Sequence, residues 1–169
     1  MEQDTRVCVV TGSSSGIGAA TARLFAARGW RVVVNYSREP APAEAVAAAC
    51  RAAGGEALVV KADVADDAEC RRLAAEVEQR WSRADVLVNN AGTTKFVALK
   101  DLDGLAAEDF HRIYDVNVIG AFQATRALVP LLRRHPVSIP AVASAWATPT
   151  QDHPGDSPAP SQPAIHARA

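Results

Sequence analysis

The 169-residue sequence has no excess of charge of either sign: 18 lysines and arginines stand against 19 aspartates and glutamates, for a net charge of -1 with the four histidines neutral. That balance excludes a basic nucleic-acid surface and an acidic solvating tail. No apolar run approaches the ~20 residues needed to cross a bilayer, and the opening Met1-Glu2-Gln3-Asp4 lacks the basic start and apolar stretch of a signal peptide. A cytoplasmic protein with neither membrane nor nucleic-acid partner is expected. Cysteine is scarce as well. Cys8, Cys50 and Cys70 are odd in number and show no C-x-x-C spacing, so neither a disulfide framework nor a metal site is expected.

Other scarcities are local. Nine of the ten glycines precede residue 135 and seven of the ten prolines follow it, while residues 136–169 contain only three charged side chains, Asp152, Asp156 and Arg168. The composition, 49% hydrophobic and 22% charged, is that of one globular domain. Its uneven distribution divides the chain into a folded segment, residues 1–135, and a Pro/Ala/Ser-rich tail, residues 136–169, expected to be disordered.

Four apolar runs recur in the first segment: Val7-Cys8-Val9-Val10, Val32-Val33-Val34, Leu58-Val59-Val60 and Val86-Leu87-Val88. None alternates with polar residues, as expected of strands buried on both faces of a parallel sheet. Helical spacing fills the intervals. Ile17, Ala20, Leu24 and Ala27 share one face, with Gly29 placed to end that helix. Leu73, Val77 and Trp81 recur every four residues after the acidic start Asp66-Asp67. Residues 43–53 are so rich in alanine that helix propensity is clear and the buried face is not. A last long helix over about residues 107–134 places Ile113, Val116, Gly120, Ala124 and Leu128 on one side, with Pro130 expected to kink or shorten it. Strand and helix in alternation predict an α/β fold, a Rossmann-like doubly wound parallel sheet of about four strands.

Thr11-Gly12-Ser13-Ser14-Ser15-Gly16-Ile17-Gly18 follows the first strand and opens the first helix. Glycines there permit a tight turn, close approach of backbone N–H groups to a phosphate, and close packing of helix on strand. The segment lacks the G-K-[ST] ending of a nucleoside-triphosphate loop, which disfavours ATP or GTP hydrolysis. A serine-rich loop that merely caps a helix is the alternative.

This turn, Asp63-Val64 after the third run, Asn89-Asn90-Ala91-Gly92 after the fourth, and Asn117 within Asp115-Val116-Asn117-Val118 together resemble the short-chain dehydrogenase/reductase family, nearest to its 3-oxoacyl-(acyl-carrier-protein) reductase-like members. The resemblance covers about the first 135 residues. It implies that Gly12, Ser14, Gly16, Ile17 and Gly18 cradle a dinucleotide pyrophosphate. It further implies that Asp63, with the Val64 backbone beside it, accepts a hydrogen bond from the adenine amino group, and that Asn90, Ala91 and Gly92 line the ribose. At the end of the second strand an acid would bond a ribose 2′-hydroxyl and an arginine would accommodate a 2′-phosphate. The sequence there reads Asn35-Tyr36-Ser37-Arg38, so NADP(H) is favoured over NAD(H), with Ser37 and Arg38 as phosphate ligands. A solvated Arg38 paired with Glu39 or Glu44 is the competing view. In the family the long helix also packs between subunits, which makes residues 107–134 a candidate homodimer face through Ile113, Gly120 and Ala124.

The family's chemistry requires a tyrosine with a lysine four residues later, the lysine lowering the tyrosine pKa from about 10 towards working pH. The two tyrosines here, Tyr36 and Tyr114, are followed at that spacing by Pro40 and Val118, and no lysine occurs after Lys100. Ser144 lies at about the right distance for the family's substrate-holding serine, with a chance match as the alternative. Asn117, which in the family relays protons to that lysine, has none to serve. The break after about residue 135 is the pattern expected of a truncated or frame-shifted gene copy, and it would leave the fourth strand an exposed edge. Two functions remain open. One is an NADP(H)-dependent oxidoreductase acting on a small carbonyl or alcohol, impaired by the missing Y-x-x-x-K. The other is a non-catalytic nucleotide-binding remnant or dimerisation partner of an intact paralogue. A methyltransferase is disfavoured by Asn35, where such enzymes carry an acid.

Overall fold

The computed structural model describes residues 5–98, 100–134 and 139–142. Its centre is a parallel sheet in the order β3-β2-β1-β4-β5, built from β1 (Val7–Val10), β2 (Arg31–Tyr36), β3 (Glu56–Lys61), β4 (Val86–Asn89) and β5 (Ile139–Val142). All four pairings are parallel, with Val9 opposite Val33 on one side and Leu87 on the other. The uninterrupted apolar runs follow from this position: β1 lies at the centre and all four of its residues are fully buried.

Successive β1 side chains enter two separate cores. Val7 and Val9 join Val33, Val60, Leu73, Val77, Leu87 and Leu128 beneath α3 (Asp67–Trp81) and α5 (Gly120–Leu132). Cys8 and Val10 join Val32, Val34, Ala22, Val46 and Cys50 beneath α1 (Gly16–Ala26) and α2 (Pro40–Ala52). Each face of the sheet thus carries a helical layer, the doubly wound arrangement expected.

Several helical faces became definite only in three dimensions. In α2 the alanine-rich sequence buries Ala43, Val46, Ala47 and Cys50, an i, i+3, i+4, i+7 stripe. In α1 the expected face is corrected: Gly18, Ala19, Ala22 and Ala26 are buried, whereas Ile17 and Leu24 are 49% and 53% exposed. Small side chains on the inner face let this helix approach the sheet closely, and size outweighed hydrophobicity in choosing the face. Leu73 and Val77 are buried in α3 as expected, joined by Cys70 and Ala74. Asp66 caps this helix, its carboxylate accepting from Ala68 N at 2.8 Å and Glu69 N at 3.2 Å.

The expected single long helix is interrupted. It consists of α4 (Ala107–Tyr114), a π-helical turn over Asp115–Ile119, and then α5. Val116, Gly120, Ala124 and Leu128 are buried as the spacing indicated. A Cβ on Gly120 would lie 2.6 Å from Val64 Cγ2, so this glycine brings α5 against the loop after β3. Because Gly120 and Ala124 face the chain's own interior, the exposed stripe of this helix is instead Phe110, Tyr114, Val118 and Phe122. Pro130 stands inside α5 without ending it at once. The helix stops two residues later, so only its last turn forgoes a backbone bond.

The expectation that β4 forms the sheet edge is also corrected, since β5 pairs with it from Val86↔Ile139 to Asn89↔Val142. Ile139-Pro140-Ala141-Val142 is short and broken by proline, which concealed it in proline-rich surroundings. Among the described residues β5 is the outer strand on this side, where a sheet tolerates proline.

Candidate functional site

A cleft of about 490 Å³ opens beyond the C-terminal ends of β1, β2, β3 and β4. It includes the crevice between β1 and β4, where the strand order reverses and α/β sheets bind ligands. Of the dinucleotide candidates, Gly12, Ser14, Gly16, Ile17, Ser37, Arg38, Asp63, Val64, Asn90, Ala91 and Gly92 all line it. Gly18 does not. A Cβ there would meet the Gly12 carbonyl oxygen at 2.8 Å, so its part is close packing of the helix beneath the turn.

The glycine turn is held from three sides. The Thr11 hydroxyl accepts from the N–H groups of Asn90 and Ala91, each at 3.0 Å. The Asn90 side-chain amide donates in return to the carbonyls of Thr11 and Gly12, at 2.9 and 3.1 Å. Ser13 Oγ donates to Val10 O at 2.7 Å and accepts from Asn35 N at 2.9 Å. Asn35, buried to 1% exposure, accepts from Gly12 N at 2.9 Å and donates to Val60 O and Ala62 O at 3.2 and 2.9 Å. It therefore ties the turn to β3 through its own strand. The sequence marked Asn35 only as the absence of an acid, and the strand end reaches solvent two residues later, at Ser37 and Arg38.

Gly12 adopts φ +61°, and a Cβ would stand 2.7 Å from Ala91 Cα. Gly16 adopts φ +55° with open space where a Cβ would be, so a ligand can approach its backbone. The first turn of α1 then carries the orphan N–H groups of any helix start. Ser15 makes no side-chain cap bond and no acid stands in that turn. The positive end of the helix dipole is left uncompensated against the cleft, the arrangement that suits a phosphate.

The other walls are equally specific. Asp63 Oδ1 accepts from Ala65 N at 3.0 Å and Oδ2 from Arg112 Nη2 at 2.7 Å. Asn117, inside the π-helical turn, accepts from Thr93 N at 2.8 Å and donates to Thr93 O at 3.0 Å, so its amide fixes the loop after β4. Arg38 makes neither an ion pair nor a hydrogen bond among the described residues, and the pairing with Glu39 or Glu44 is not formed. Arg112, Tyr36, Thr93, Thr94 and Phe96 also line the cleft, which Ser15, Glu39, Pro42, Ala62 and Val116 border as well. Of these, Phe96 is 68% exposed. Thr93, Thr94 and Phe96 lie in the loop from Thr93 to Leu105, which the sequence offers as a substrate wall without identifying a ligand, whereas Arg112 and Tyr36 are not singled out as site residues, because an isolated arginine or tyrosine carries no spacing signal. Ser144 lies outside the described residues. Among the described residues no cluster of three metal-ligating side chains occurs, and no helix is long and apolar enough to cross a membrane.

Three comparisons bear on this geometry. A 3-oxoacyl-[acyl-carrier-protein] reductase of Synechocystis is 40% identical over 150 residues, covering 86% of this chain and 60% of that protein. The crystal structure of a short-chain dehydrogenase/reductase from Burkholderia xenovorans superposes with a TM-score of 0.75 at 47% identity, over 79% of this chain and 55% of that one. An alcohol dehydrogenase from the archaeon Thermococcus sibiricus, solved in complex with 5-hydroxy-NADP, superposes with a TM-score of 0.69 at 30% identity, over 78% of this chain and 55% of that one. The chain spans about half the length of the curated relatives it matches. The sequence profile of the short chain dehydrogenase family matches residues 6–153, and the chain belongs to that family.

Proposed function

We propose that this chain is an NADP(H)-binding member of its family whose cleft holds the dinucleotide but whose hydride chemistry is severely impaired. The observation that carries the first half is the uncompensated N-terminus of α1 beside the open backbone of Gly16, with Arg38 unpaired at the end of β2. In this reading the backbone of Gly12, Ser14, Gly16 and Ile17 receives the pyrophosphate and Gly18 keeps α1 close beneath it. Ser37 and Arg38 receive the 2′-phosphate. Asp63 and Val64 receive the adenine, while Asn90, Ala91 and Gly92 line the ribose. The dinucleotide would supply hydride for a small carbonyl or accept it from an alcohol, against a wall that includes Phe96.

The second half rests on what the residues must do with a proton. Carbonyl reduction needs a donor at the developing alkoxide, and no Y-x-x-x-K stands in the sequence. Asn117 is bonded at both amide atoms to the Thr93 backbone, which makes it a support of the cleft wall. Ser144 alone would not replace the acid. General acid–base groups contribute roughly 10²–10⁴-fold, and a residual rate lower by about that factor is expected.

Fluorescence titration of the full chain with NADPH and NADH tests the cofactor half. NADPH is expected to bind more tightly, and Arg38→Ala to remove most of the difference. Equal affinities in the unmodified chain would refute the NADP(H) assignment, and no binding of either would refute the nucleotide reading. A second reading, a dimerisation partner for itself or for an intact paralogue, is favoured by the exposed stripe Phe110, Tyr114, Val118 and Phe122. Phe122→Arg with sedimentation analysis tests it: a dimer that persists in the variant refutes use of this face.

A further inference from the structure

The Asp63–Arg112 pair joins α4 to the loop after β3. Arg112 stands on α4, which buries none of its residues, and Asp63 stands in the loop after β3. Both line the cleft, with side chains 45% and 32% exposed. An exposed ion pair of this kind contributes little to stability. Its geometry is more informative. Asp63 Oδ1 is held by Ala65 N–H at 3.0 Å and Oδ2 by Arg112 Nη2 at 2.7 Å, so the carboxylate plane is fixed from two directions. Each oxygen of an ionised carboxylate offers two acceptor positions, and one partner apiece leaves capacity on both. The other polar ties near α4 run elsewhere: Lys95 Nζ donates to Asp109 at 2.7 Å and Asn117 bonds Thr93. Arg112 is thus the tie that links α4 to the acidic group of the cleft.

We propose that Arg112 is a positioning residue for base recognition, holding the Asp63 carboxylate in the orientation that accepts a hydrogen bond from the exocyclic amino group of adenine. The inference rests on the nucleotide reading above and extends it to base selectivity. A fixed carboxylate accepts from a 6-amino group and opposes a 6-oxo group, which presents lone pairs to lone pairs. Without Arg112 only the Ala65 N–H remains as an anchor. The carboxylate then turns to solvent, and the distinction between amino and oxo bases weakens.

The test uses the full chain, with binding of NADPH and of its hypoxanthine analogue followed by fluorescence of the reduced nicotinamide. The unmodified chain is expected to prefer NADPH by about tenfold or more, the value of a hydrogen bond to a charged group. Arg112→Met should reduce that ratio to less than about threefold on the same scale, with an unchanged circular dichroism spectrum. Arg112→Lys, which keeps the charge, should recover part of it. Arg112→Gln carries the same expectation as Met should the Met variant fail to fold. If both ligands weaken equally and the ratio holds, Arg112 is merely structural and the inference is overturned. Tighter NADPH binding with a larger ratio in Arg112→Met would mean that Arg112 competes with the base, which also overturns it. Equal binding of the two ligands by the unmodified chain would overturn the inference while leaving the nucleotide reading intact. Binding of neither would overturn both.

Discussion

Replacing Asn35 by alanine isolates the contribution of one buried amide to both the fold and the cleft. Four side-chain hydrogen bonds are removed together: Gly12 N–H loses its acceptor, Val60 O and Ala62 O lose their donor, and a longer bond of 3.4 Å to Tyr36 O is lost. At about 1 kcal/mol net for each of the three shorter bonds the loss sums to ~3 kcal/mol, a large share of the ~5–15 kcal/mol that stabilises a domain. Urea unfolding followed by circular dichroism reads this directly. With a slope of ~1–3 kcal/mol per molar urea, the midpoint should fall by roughly 1–3 M. Asn35→Asp keeps an acceptor for Gly12 N–H and turns a carboxylate towards two carbonyl oxygens, so it should be at least as destabilising. A midpoint shift below about 0.5 M for the alanine variant would refute the claim that Asn35 clamps the turn to β3.

Other substitutions and conditions separate the remaining effects. Gly12→Ala should cost about 1–2 kcal/mol for its left-handed backbone and about 1–3 more for the clash with Ala91, whereas Gly16→Ala should cost only the first amount; equal melting temperatures for the two would contradict this. Hydrogen bonds from Arg71, and then from Arg126, hold the Asp67 carboxyl below its usual 3.8. The Ala106 N–H, and then Lys95, do the same for Asp109. A carboxyl whose folded pKa is lowered stabilises the fold above its unfolded pKa and loses that contribution as pH falls through the folded value. Stability from these pairs should hold down to about pH 4 and decline below it, with Asp67→Asn showing a shallower decline in acid titrations monitored by circular dichroism. Burial pushes the Cys70 thiol up to about 11, with neighbouring carboxylates adding to the shift, and burial pushes Cys8 and Cys50 upward too. All three thiols should resist alkylation at pH 8 until denaturant is added; fast labelling of the native chain would contradict their placement.

Local chemistry made the turn, the strands and the family legible in the sequence. Thr11 to Gly18 needs glycine where the backbone turns left-handed or another chain segment approaches, and that demand leaves a fixed spacing. The runs around Val9 and Val33 are apolar throughout because both faces of the sheet are covered. Elsewhere the decisive factor was spatial. The inner face of α1 is chosen by size, so Ile17 and Leu24 misled. The π-helical turn at Asn117 inserts a register change that an even hydrophobic spacing conceals. Pro140 hid β5, because the cost of proline depends on whether a strand is central or outermost. Arg112 carried no mark at all, since its significance comes from a partner 49 residues away.

The central claim joins nucleotide binding to the absence of a proton donor, and one sample tests both. The full chain is saturated with NADPH, as judged by nicotinamide fluorescence, and small ketones are then added while NADPH consumption is followed. The account predicts saturable binding with consumption reduced roughly 10²–10⁴-fold relative to a complete family member. Consumption at the rate of a complete enzyme, or no binding at all, would contradict it.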